Sequence, residues 1–190
     1  MSRKKSILWV AMLAASQPLA VWAHAGTGYV SGLWSGVSHP FSGLDHLLAM
    51  VAVGLWAALT GGRSVWLMPM AFVTLMLGGG AAALAGWPLP CVEQGISASL
   101  LVLGLLIASA CRLHVWASMV IVGFFAIFHG HAHGAEMPLS SDTLLYSAGF
   151  ALASVLLHGL GIGMAYLIKQ QLVRFAGMAI TLSGIYYVMT

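Results

Sequence analysis

The sequence predicts an all-α, polytopic membrane bundle: a cleavable signal peptide followed by six transmembrane helices. Three observations carry this reading. The chain is 61% hydrophobic and only 6% charged, with a mean hydropathy of +0.97. Its apolar residues fall into runs near the ~20 residues needed to cross ~30 Å of hydrocarbon. Its few ionic residues sort by sign between the two sides of the resulting helix array. A soluble domain is about half apolar and about a quarter charged. So few charges cannot furnish the outer face of a water-soluble fold, which excludes a cytosolic enzyme, a nucleic-acid binder and a disordered chain.

The elements follow in chain order. Arg3, Lys4 and Lys5 form a positive n-region, Ser6 to about Gln17 an apolar core, and Val21-Trp22-Ala23 a small-x-small cleavage pattern. Residues 1–23 are therefore expected to be a signal peptide, and 24–190 a single transmembrane domain. An uncleaved first helix is the alternative. The six apolar stretches run roughly 40–60, 65–85, 94–111, 114–132, 143–166 and 170–189. Pro40 suits a first helical position, with His39 as an N-cap-like residue at the membrane mouth. Gly61-Gly62-Arg63, Trp87-Pro88-Leu89-Pro90 and Met137-Pro138 with Ser140-Ser141-Asp142 supply turns. Cys91 and Cys111 are expected on opposite faces, unpaired.

The positive-inside rule orients the array. If residue 24 starts outside, Arg63, Arg112, Lys169 and Arg174 all face the cytoplasm. Glu93, Glu136 and Asp142 face the periplasm, as do the mature N-terminus and Thr190. The expected location is a bacterial inner membrane, with the lipid bilayer as partner. A wrong number of helices would scatter these charges. The 23 glycines, among them Gly78-Gly79-Gly80, Gly159, Gly161 and Gly163, suit close helix packing.

Eight histidines outnumber the charges of either sign. Asp45 and His46 fall inside the first stretch, where a carboxylate costs roughly 2.5–3.5 kcal/mol to insert. It therefore needs a partner: a proton, a basic side chain, a neighbouring histidine or a metal cation. No Lys or Arg is expected at that depth, and a cation site is the preferred reading. His129 and His133 stand i, i+4, with Glu136 at i+3, on one face if the helix continues that far. Imidazole and carboxylate at this spacing suit a divalent metal. His131 points elsewhere, as a mouth ligand or a solvated residue. His158 lies ~22 Å below the outer surface by helical rise, as a ligand or path-lining group. Glu93 either completes the site or favours its helix N-terminus. His114 reads as an interfacial residue, and Met50 as packing with a weak thioether option. Cleavage after Ala23 would set an α-amino group beside His24, a bidentate pair able to capture a metal ion at the mouth.

These residues resemble a known family. The stretch from His39 to Met50, a histidine, five residues, then Asp-His, is similar to the first motif of the HupE/UreJ nickel permeases. Phe128 to Glu136 resembles that family's second motif, and Leu157-His158-Gly159 the histidine of a later helix. The resemblance implies import of Ni2+ or Co2+ into cells that assemble hydrogenase or urease. The metal is the transported ion, with no prosthetic group. It further implies that His39, Asp45 and His46 are essential and that His129, His133 and Glu136 are strong candidates. Nothing resembles an ATP-binding P-loop, and no enzymatic activity is expected. Two other readings stand beside the permease: a membrane metalloenzyme with a histidine-box iron site, and a metal-sensing or accessory membrane subunit.

Overall fold

Long apolar runs punctuated by glycine, proline and short polar turns form seven α-helices in a computed structural model that describes residues 28–190. They are α1 (Gly28–Ser38), α2 (Leu44–Thr60), α3 (Ser64–Leu84), α4 (Val92–Ala108), α5 (Val115–Ala135), α6 (Thr143–Leu167) and α7 (Gln170–Met189). No strand occurs among the described residues. The expected signal peptide and His24 lie outside them.

Helix α2 forms the centre. Residues Ala49 to Val53 and Leu55 to Ala57 are buried on every side, as befits a helix with no polar face. Around it α3 lies along α5, α4 along α7, and α6 against both α1 and α2. The outer helices turn Leu144, Val120, Leu167 and Leu182 outward, an apolar exterior suited to lipid. Helices α3, α5, α6 and α7 are each long and apolar enough to cross a membrane. A bent pair, 32–41 with Leu44–Thr60, brings the number to five if it counts as one span, while α4 is a shorter apolar helix. The chain is thus a multi-pass membrane protein.

Close approach is made possible by absent side chains. A Cβ on Gly130 would strike the Met76 carbonyl of α3, and one on Gly161 the Val51 carbonyl of α2. These contacts hold α5 on α3 and α6 on α2, and so set the depth of the histidines that α5 and α6 carry.

The first expected helix, 40–60, needs correction. The chain makes a 3₁₀ turn at His39–Phe41, preceded by Ser38, and α2 starts only at Leu44 with Gly43 as its extended N-cap. Between α1 and α2 the axis bends by 83°. Helix α1 itself was not expected. Its sequence, GYVSGLWSGVS, is glycine-rich and intrinsically weak as a helix. Tertiary packing supplies what propensity lacks: Gly36 abuts the Tyr146 carbonyl and Gly149 the Leu33 carbonyl, so α1 and α6 pack backbone to backbone.

The bend also relocates Asp45. It sits in the first turn of α2 rather than deep in an unbroken span. There the helix dipole favours a carboxylate, and the insertion cost assumed for mid-membrane does not apply in full. Helix connectivity gathers Asp45, Glu93, Glu136 and Asp142 at one end of the bundle, with Arg63, Arg112, Lys169 and Arg174 at the other. At the basic end, Arg174 Nε donates to the Ala108 carbonyl at 2.8 Å and Trp56 Nε1 to that of Cys111 at 2.9 Å. Cys91, at the N-terminus of α4, and Cys111, after its C-terminus, are both free.

Candidate metal site

At the acidic end the α1–α2 bend, the start of α4 and the end of α5 enclose a cavity of about 250 Å3. Its walls carry His39, Asp45, His46, Glu93, His133 and Glu136, with Ser42 and Gly43 at the bend. Helix α5 runs to Ala135, so His129 and His133 share one face and Glu136 follows directly at the helix end. Glu136 then reaches across the chain: its Oε2 lies 3.1 Å from His39 Nε2. Donor atoms of His39, His133 and Glu136 all lie within 4.8 Å of one another, a spacing one metal ion could collect. The Glu136 side chain is about half exposed and His39 one-fifth exposed, while His133 is buried, so the trio grades from solvent inward.

Below the trio the imidazoles continue inward. The His133 ring lies 4.7 Å from that of His39 and 4.4 Å from that of His46, centre to centre. His46 in turn lies 5.1 Å from His129. Phe72 of α3 follows, 5.6 Å from His129 and 5.1 Å from His158. His158, buried in α6, borders an apolar groove of about 320 Å3 between α3 and α6 that includes Trp66, Pro69, Met70 and Val155.

Hydrogen bonds assign the ring protons along this line. The Asp45 carboxylate can only accept, so His46 Nδ1 donates to Oδ1 at 3.0 Å, and the same oxygen accepts from the His46 backbone N–H at 2.9 Å. His46 Nε2 is left buried with no partner. His158 Nδ1 donates to the Met50 carbonyl at 2.7 Å, and its Nε2 is likewise unpaired. In His133 neither ring nitrogen has a partner, and in His129 Nδ1 has none. A buried imidazole with one nitrogen held and a lone pair free is the arrangement of a metal-ligating histidine. Three such rings, with His133 wholly unpaired beside them, are costly unless something else satisfies them.

The structure therefore brings together His39, Asp45, His46, Glu93, His133 and Glu136, places His129 directly below them, and sets His158 apart beyond Phe72. Asp45 meets His46 rather than the three-residue donor group; its contact is that of a carboxylate orienting an imidazole. His131 is not among them. It points out of the other face of α5, with Nε2 2.9 Å from the Trp87 carbonyl. His114 is the N-cap residue of α5, and Met50 contributes its carbonyl, not its sulfur. Two residues complete the geometry without any signal in the sequence reading: Phe72, one apolar residue among many in α3, and Ser99, a serine within an apolar helix that already holds Ser97.

The HupE / UreJ protein family matches residues 10–187 of the chain. Protein HupE of Rhizobium leguminosarum bv. viciae is 44% identical over 185 residues, which covers 95% of this chain and 96% of that protein. No solved structure matches.

Proposed function

The chain belongs to the HupE/UreJ family, and from that premise we propose that it is a permease importing divalent nickel or cobalt for hydrogenase or urease maturation. The single observation that carries this reading is the line of histidines. Imidazoles run from a half-exposed carboxylate through four closely spaced rings to His158, strung along a path rather than gathered about one point. A resident cofactor calls for one closed coordination sphere, whereas a cargo calls for successive partial ones.

The steps follow from the chemistry of each group. Glu136, with Glu93 and Asp45 beside it, makes the mouth anionic and draws a hydrated cation in. His39, His133 and Glu136 replace part of its water shell. The free nitrogens of His133, His46 and His129 then offer neutral ligands, while the carboxylates behind them offset the ion's charge in a low dielectric. Past Phe72 the ion meets His158 alone and leaves toward the basic end. By the positive-inside rule that end is cytoplasmic, the mouth and Thr190 are periplasmic, and the membrane is the inner one. In this reading a signal peptide is removed from the N-terminus and six helices span the bilayer: α4 and the α1–α2 pair join the four long ones. Selection of nickel or cobalt rests on imidazole-rich coordination, which disfavours Mg2+ and Ca2+.

The test is uptake of radiolabelled Ni2+ by cells without nickel importers of their own, with Co2+, Zn2+ and Mn2+ as competitors. Uptake above the vector control, reduced most by Co2+, supports the reading. Uptake equal to the control refutes it.

A further inference from the structure

We infer that Ser99 is a positioning residue that fixes the proton on His129 so that Nδ1 faces the path as a free ligand; this deepens the permease reading and rests on it. Ser99 lies in α4 and is fully buried, as is His129. Its hydroxyl is 2.6 Å from the Ile96 carbonyl, which can only accept, so the hydroxyl proton is committed there. The same oxygen is 3.1 Å from His129 Nε2. With its proton already given away, Ser99 Oγ can serve His129 only as an acceptor, and Nε2 must be the protonated nitrogen. The lone pair is then on Nδ1, the buried atom without a partner.

Ser99 thus does for His129 what Asp45 does for His46 and the Met50 carbonyl for His158. Each acceptor takes the ring proton on one side and leaves a lone pair on the other. The arrangement also prevents the rings from satisfying one another. The His46 ring is 5.1 Å from that of His129 and carries a bare Nε2. Without Ser99, that nitrogen competes for the His129 proton, and a hydrogen bond from His129 Nδ1 to His46 Nε2 would occupy the His46 lone pair and leave that of His129 on Nε2, turned toward α4. A serine suits the task better than a carboxylate because it adds no charge beside a fully buried ring.

The experiment uses the purified full-length protein with its histidine rings labelled with nitrogen-15, together with Ser99→Ala and Ser99→Thr. Ring nitrogen shifts of metal-free protein should show His129 protonated at Nε2 in the wild type and in Ser99→Thr. An Nδ1-protonated population should appear in Ser99→Ala. Co2+ binding, followed by its visible absorption, should weaken by about 10- to 100-fold in Ser99→Ala and stay near wild type in Ser99→Thr. Wild-type His129 protonated at Nδ1, or Ser99→Ala binding Co2+ as tightly as wild type, overturns the assignment. The ring shifts need no metal and no transport, so they decide the role of Ser99 on their own. Loss of wild-type uptake in the cell assay would count against the permease reading instead.

Discussion

The two ends of the histidine line are built on opposite principles. At the mouth, three donor atoms from His39, His133 and Glu136 lie within 4.8 Å of one another beside a polar cavity. Around His158 there is one imidazole, fully buried, with Phe72 at its edge and an apolar groove beside it. The first arrangement can compete with water for a scarce ion, because a carboxylate and two imidazoles together replace several water ligands. The second cannot hold an ion for long, because one neutral ligand offsets little of the cost of a divalent charge in hydrocarbon. On the proposed permease reading, the outer group draws a scarce ion out of water and the weak inner station lets it leave, favourable entry with easy exit being what conduction requires.

Removing the ring common to both halves of the upper cluster should have the largest effect. His133 touches His39 on one side and His46 on the other, and both its nitrogens are unpaired. His133→Ala should lower uptake by about 100-fold or more, beyond the loss typical of a supporting partner. Immunoblotting of membranes should show near-normal protein. Asp45→Asn comes next. It keeps an acceptor for His46 Nδ1 but removes the charge, and uptake should fall by about 10- to 100-fold. An Asp45→Asn protein that transports normally would reduce Asp45 to a helix-terminal residue.

Acidity should act on the mouth before the interior. Protons compete with the metal for imidazole, so uptake should decline as the external medium is acidified, with the metal concentration that half-saturates uptake rising. A rate that stays flat until the medium reaches the carboxylate range would place the ligand set on carboxylates alone.

The path also depends on how closely α5 can approach α3. Gly130 lies against the Met76 carbonyl, and this contact brings His129 beside Phe72. Gly130→Ala forces the helices apart at an overpacking cost of ~1–3 kcal/mol. Less protein should accumulate in membranes, and the fraction that does should transport poorly. The smallest effect is expected from His131→Ala, since that ring bonds the Trp87 carbonyl on the far face of α5. Uptake should stay within about twofold of wild type, the range of a surface substitution.

Much of this was legible in the residues and some was not, for reasons that differ by site. Charge sorting by sign emerged from the sequence because topology acts on every loop alike, and helix connectivity in the structure separates the same residues. His129 and His133 were placed on one face because i, i+4 spacing is a property of the helix itself. Glu136 was expected on that face too, yet its contact is with His39, a residue 97 positions earlier, and no local spacing encodes such a pairing. The 83° bend is not legible in the sequence because Pro40 suits a helix start and a 3₁₀ turn equally well, and Ser42-Gly43 decides the matter only in context. Helix α1 is not legible either, because its glycines favour a helix only once Gly36 and Gly149 pack α1 against α6. By sequence alone Asp45 is a carboxylate stranded in hydrocarbon. With the bend in place it heads a helix and orients its neighbour.

The most direct measurement is the initial rate of Ni2+ uptake against external Ni2+ for wild type, Glu136→Gln and His158→Gln, each normalised to protein in the membrane. If capture and passage are separate stages, Glu136→Gln raises the half-saturating concentration and leaves the maximal rate nearly intact. His158→Gln lowers the maximal rate with little change in half-saturation. The two variants shifting the same parameter, or neither shifting any, would contradict the division of labour on which the account stands.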